Sequence, residues 1–156
     1  MIMFFILRKT MNGTLKKIWI KRAKLGPMDP VEQAEFIENE GILGNANQKG
    51  MRQVTIIQEE HWREMMTELD ANIDPSARRA NLMVSGIPLR ETQGKVLRIG
   101  SCAIQIYGET KPCYRMDDAL PGLQDAMKKD WRGGAYGVII TGGSIKIGDP
   151  VSLDSL

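Results

Sequence analysis

Cys113 stands in the run Thr110-Lys111-Pro112-Cys113-Tyr114-Arg115, with a cation two residues to either side. Flanking positive charge favours the thiolate, the nucleophilic and metal-ligating form of cysteine. Pro112 fixes one backbone angle directly before the thiol and stiffens the approach to it. A thiolate is a soft ligand for a high-valent transition metal, and it also carries sulfur as a persulfide. On residue types alone, an ordinary loop cysteine fits the run as well. In an extended loop, positions i and i+2 share a face, so Lys111, Cys113 and Arg115 would converge. A second group, Arg78-Arg79-Ala80-Asn81, precedes a predicted strand. Two guanidiniums grip a phosphate in bidentate fashion, and Asn81 offers both donor and acceptor. The alternative for this group is a solvated basic turn.

The other chemically capable residues read differently. Cys102 shares a strand face with Ile104 and Ile106, which predicts a buried, unreactive thiol. Its spacing from Cys113 matches no redox pair. His61 is the single histidine. A Ser-His-Asp triad would have to use it, yet no nucleophile elbow surrounds it. Zinc sites need three or four ligands, which a lone histidine among carboxylates does not supply. Gly133-Gly134 and Gly142-Gly143 match neither a Walker loop nor a dinucleotide fingerprint and read as turn chemistry.

The elements that must position these residues are mostly short strands. Leu15 to Ile20, Val54 to Ile57, Leu82 to Val84 and Tyr136 to Ile140 read as strands. So does Lys95 to Tyr107, with Gly100 marking a bulge or sharp bend. Val31 to Ile37 is ambiguous between helix and strand, and Gly41 to Gly50 reads as a polar loop. The clearest helix is Glu59 to Leu69, where Trp62, Met65, Met66 and Leu69 form one apolar stripe and Pro75 forbids continuation. Gly108 to Asp118 reads as a loop, and Leu120 to Lys129 as a short helix. The tail predicts a hairpin, with Tyr136 to Ile140 turning at Gly142-Gly143 and returning through Ser144 to Ile147. Some seven strands and two helices favour a barrel or sandwich over a parallel α/β sheet.

The chain has 156 residues, 42% of them hydrophobic, which is ordinary for one globular domain. A net charge of +2 argues against nucleic acid or a membrane surface as partner, while leaving local basic patches open. Two cysteines exclude a disulfide-rich secreted scaffold. Residues 1–7 are apolar, but Arg8 and Lys9 follow them, the reverse of a secretory signal. The run is also too short to span a bilayer. A cytoplasmic protein is expected. Met11 is an alternative start, so residues 1–12 are expected to be a poorly ordered extension and residues 13–156 a single domain.

Taken in order, several segments carry a resemblance: Gly41-Ile-Leu-Gly44-Asn45, Arg52 to Ile57, Glu60-His61-Trp62, Arg78 to Ile87, Leu97 to Gly100, Gly108 to Met116, Arg132-Gly133-Gly134, and Gly142 to Asp149. Together they resemble the MOSC (molybdenum cofactor sulfurase C-terminal) domain, over about Gly13 to Val151. The resemblance implies a mainly β fold, a barrel of mixed strands with a few short helices. It implies a pocket for the molybdenum cofactor, a phosphorylated pterin dithiolene. It makes Cys113 the motif cysteine, catalytic or metal-ligating, with Arg78, Arg79, Asn81, Lys111 and Arg115 as cofactor-binding residues. Pyridoxal phosphate belongs to broad descriptions of the superfamily and finds no support in these residues. Many members have Gly-Asp and a nearby histidine where this chain has Gly44-Asn45-Ala46-Asn47. The implied activity is reduction of N-hydroxylated small molecules with electrons from a separate protein. Alternatives are persulfide sulfur transfer, with a separate sulfur donor, and a non-catalytic ligand-binding barrel.

Overall fold

The computed structural model describes residues 12–46 and 50–154. Apart from Asn12, the expected N-terminal extension lies outside the described residues. In chain order the strands are β1 (Gly13–Lys21), β2 (Met28–Val31), β3 (Gln33–Ile37), β4 (Gly41–Ile42), β5 (Val54–Gln58), β6 (Leu82–Ser85), β7 (Val96–Ile99), β8 (Cys102–Glu109), β9 (Ala135–Thr141), β10 (Gly143–Lys146) and β11 (Pro150–Asp154). The helices are α1 (Glu59–Glu68), α2 (Arg115–Ala119) and α3 (Leu123–Met127), with a 3-10 turn at Pro75–Arg78.

Seven strands close a barrel in the order β11-β7-β8-β9-β5-β6-β1, and the Gly13↔Val151 pairing joins its ends. Closure leaves no exposed edge among these seven strands. The β5–β6 pair is parallel, while the other pairings are antiparallel. A parallel pair needs a long crossover, and α1 with the 3-10 turn supplies it. Strand β2 continues the sheet beyond β1, and β10, β3 and β4 form a separate small sheet.

Alternation along the strands builds two cores. Val54 and Ile56 of β5, with Leu15, Leu82 and Ile104, fill the barrel interior. Ile57 and Met83 point outward, where Trp62 and Met65 of α1 and Met116 of α2 cover them. The apolar stripe of α1 packs as its spacing predicts, with Trp62, Met65 and Met66 buried.

Several local readings are corrected or resolved. The tail hairpin does not form: β10 pairs with β3, Ile145 opposite Ala34, rather than with β9. A Cβ on Gly142 would sit 2.7 Å from the Phe36 carbonyl, so this glycine serves a close backbone crossing onto another sheet. The segment taken as a loop from Gly108 to Asp118 ends in α2, and the following helix is shortened to Leu123–Met127 by Pro121-Gly122. Gly100 marks a two-residue turn between β7 and β8, since Ile99 pairs with Cys102. Val31 to Ile37 is extended throughout apart from Glu32, and Gly41-Ile42 inside the predicted loop is a buried strand.

Candidate functional site

Cys113 is exposed, in the short link between β8 and α2. Its carbonyl accepts the Met116 amide at 3.0 Å, which starts the turn into α2. Met116 itself is buried in the outer core, so the helix holds the link against the barrel wall. A cavity of about 290 Å³ lies there, and Cys113, Arg52, Arg78, Arg79, Lys111 and Arg115 line it. Its wall includes Thr55, between the inward residues Val54 and Ile56 of β5. The site is therefore on the outer face of the barrel.

Arg78 organises this wall. Its Nε donates to the Gly133 carbonyl at 2.9 Å and its Nη2 to the Thr110 carbonyl at 3.1 Å. Its Nη1 reaches the Met116 Sδ at 3.7 Å. Thr110 Oγ1 also donates to the Gly133 carbonyl, at 2.9 Å. One guanidinium thus ties the Cys113 link to the turn that precedes β9. The approach requires glycine: a Cβ on Gly133 would lie 2.2 Å from the Thr110 carbonyl, and one on Gly134 2.2 Å from the Ile56 carbonyl. Burial pulls the Arg78 guanidinium below its ordinary value, and the nearby Cys113 opposes that pull. Carbonyls satisfy its hydrogen bonds but do not neutralise its charge.

Arg79 follows in the left-handed region, φ 64°, and its Nη2 donates to the Gly26 carbonyl at 2.6 Å. Arg52 stacks over the Tyr136 ring, 5.0 Å from its centroid, a cation–π contact. Among the described residues, none of the five cations pairs with a carboxylate, and no carboxylate lines the cavity. Such a site favours a multiply charged anion.

Of the residues singled out in the sequence, the fold brings Arg78, Arg79, Lys111, Cys113 and Arg115 to this cavity. Asn81 is not among them. Its Oδ1 accepts from the Thr55 amide and hydroxyl, and its Nδ2 donates to the Trp19 carbonyl and Asn45 Oδ1. With both ends of the amide engaged, it stitches β1, β5 and β6 together. Arg52 and Thr55 stand in the sequence only within the longer run Arg52 to Ile57, and Gly133 reads there as turn chemistry; a cation directly before a β-branched strand is the available signal for Arg52.

Cys102 is buried inside the barrel, where loss of solvent pushes its thiol pKa up. His61 lies away from the cavity, and burial holds its imidazole below the ordinary value. Among the described residues, no group of three or more His, Cys, Asp or Glu side chains is placed to hold a metal. A larger groove of about 860 Å³ runs beside α1, lined by Trp62, Met66, Met83, Lys17 and Arg63 among others, with no cysteine or histidine. Size favours that groove; the thiol and the unpaired cations favour the smaller cavity.

A MOSC domain model matches residues 32–152. Among solved structures, the YuaD protein of Bacillus subtilis has a TM-score of 0.80 at 20% identity, covering 95% of this chain and 98% of that one. YiiM of Geobacillus stearothermophilus has a TM-score of 0.73 at 17% identity, over 92% of this chain and 75% of that one. YiiM of Escherichia coli gives 0.68 at 18% identity, over 92% and 70%. These likenesses speak to the fold. Among curated proteins none matches the chain in sequence.

Proposed function

The chain belongs to the MOSC domain family, and from that premise we propose that it binds the molybdenum cofactor and supports reduction of N-hydroxylated small molecules. One observation carries the reading: an exposed thiol shares a cavity with five cations, one of them the half-buried Arg78, and with no carboxylate. That donor set suits a phosphorylated, anionic group whose metal needs one protein thiolate. The cofactor would supply the remaining sulfur ligands and a metal that changes oxidation state.

The chain's own residues have separate tasks. Cys113 is the metal-ligating thiolate, carried on a link that α2 anchors through Met116. Arg52, Arg79, Lys111 and Arg115 hold the phosphate and the polar edge, and their charge draws the anion in. Arg78 fixes the spacing between the Cys113 link and the Gly133 turn, and adds its own uncompensated charge. Asn81 stays in the wall. Electrons would come from a separate protein.

The exposure of Cys113 also suits sulfur transfer. Its thiolate would attack the outer sulfur of a donor persulfide, forming a new S–S bond while the donor leaves as a thiolate.

Metal and pterin analysis of protein made in a cofactor-competent host tests the first reading. Wild-type protein should carry molybdenum and pterin near one per chain, and Cys113→Ser should lose most of the metal. Wild-type protein with neither metal nor pterin would sink it. A reducible mass increment of one sulfur on Cys113 would favour transfer instead.

A further inference from the structure

Three exposed hydrophobic side chains flank this cavity along the chain. Leu25, 72% exposed, precedes Gly26, whose carbonyl holds Arg79; Met51, 57% exposed, precedes Arg52; Tyr114, 68% exposed, stands between Cys113 and Arg115. Leu25 also sits in the left-handed region, φ 63°, which a bulky L residue rarely adopts. An exposed leucine gains nothing from that strain in the free protein, and glycine or asparagine would relieve it. Strain retained at a surface position points to use.

The charge beside it is mostly positive: Asp29 pairs with Arg22, which leaves Lys21 and Lys24 over. Burial, then Arg79 and Lys24, pull the Lys21 ammonium below its ordinary value, so these three cations crowd together. Neither Lys21 nor Lys24 has a carboxylate partner among the described residues. The basic surface thus runs from the β1–β2 turn across the cavity to Arg115, although the whole chain carries only +2.

We infer that this face docks a partner protein whose surface presents carboxylates around an apolar centre, and which delivers electrons to the cofactor that Cys113 would hold, or persulfide sulfur to Cys113 itself. The role of the partner rests on the proposed function; the docking face does not. Opposite charge on the two surfaces steers encounter and fixes orientation. Leu25, Met51 and Tyr114 supply the apolar contact that holds such an encounter together. A nucleic-acid backbone would use the cations and leave Leu25 and Met51 without a counterpart.

A benzophenone amino acid placed at position 25 of the full chain, photolysed in growing cells, reads the contact directly. Position 147 is the control, since Ile147 is exposed and lies outside the cavity. The expected result is a protein adduct from position 25 and not from 147, on a carboxylate-rich segment. The purified partner should then bind at least tenfold more weakly to Lys24→Glu. Replacing an opposing partner carboxylate by lysine should restore that binding. Leu25→Asn should also weaken binding while keeping or raising the thermal midpoint, because asparagine accepts the left-handed backbone. Adducts to nucleic acid or lipid, no adduct, equal capture from both positions, or binding indifferent to Lys24→Glu would each overturn the inference. Lys24 and Leu25 do not line the cavity, so both variants should retain wild-type molybdenum and pterin. If wild-type protein carries neither, the cofactor reading fails while the crosslink still decides the docking face.

Discussion

The two cysteines illustrate how position decides reactivity. Cys102 is in the barrel interior, within 3.9 Å of the Ser144 carbonyl, and burial disfavours its thiolate. Cys113 is at the surface among cations. A neutral thiol reagent should modify Cys113 in native protein and reach Cys102 only after denaturation, since access to a buried strand requires unfolding. Mass mapping of the labelled peptides checks this, and equal labelling of both thiols would contradict the assignment. Cys113→Ser should leave stability within about 0.5 kcal/mol of wild type, because the side chain touches no core.

At the scale of elements, the site depends on two ties. Arg78 joins the Cys113 link to the turn before β9 through three contacts in a fixed fork. Lysine cannot reproduce that fork, so Arg78→Lys should destabilise by about 1–3 kcal/mol. Urea unfolding should show a lower midpoint at an unchanged slope. The second tie lies next to Gly133, where Arg132 is buried and pairs with Glu64 and Glu68 of α1. The hydrogen bond from Arg132, with its charge, holds the Glu68 carboxyl below its ordinary value. A depressed carboxyl contributes stability that is present above its unfolded pKa and lost as pH falls through the folded one. Wild-type protein should therefore lose stability on acidification below the ordinary glutamate range. Glu68→Gln should lose less over the same interval, measured as denaturation midpoints at pH 5 and pH 3.

For the whole molecule, the barrel closes and the cation-lined cavity lies on its outer face. Because ligand binding adds to folding stability, inorganic phosphate should raise the thermal midpoint above that in chloride of equal ionic strength. At ten times the dissociation constant the gain is about 1.4 kcal/mol, or a few degrees for a domain of this size. The Lys111→Ala, Arg115→Ala double variant should lose most of that gain. An equal rise in both proteins would mean that phosphate acts elsewhere.

Local sequence settled much of this protein. The β-branched run Val54–Ile57, the alternation of Cys102, Ile104 and Ile106, and the stripe of α1 follow from side-chain period, which needs no knowledge of distant residues. The Pro-Cys run flanked by cations marked the thiol for the same reason: its neighbours in chemistry are its neighbours in sequence. Long-range approach decided the rest. Gly142-Gly143 looked like a hairpin turn, because a glycine pair signals a tight turn and a close backbone crossing alike; only Phe36, more than a hundred residues away, distinguishes them. Arg78 and Asn81 both read as anion ligands. The tertiary structure commits Asn81 to β1 and β5, and turns Arg78 toward two carbonyls contributed by distant segments. Where a polar side chain's hydrogen bonds go is a property of what the fold brings to it, and that is set by barrel closure rather than by local pattern.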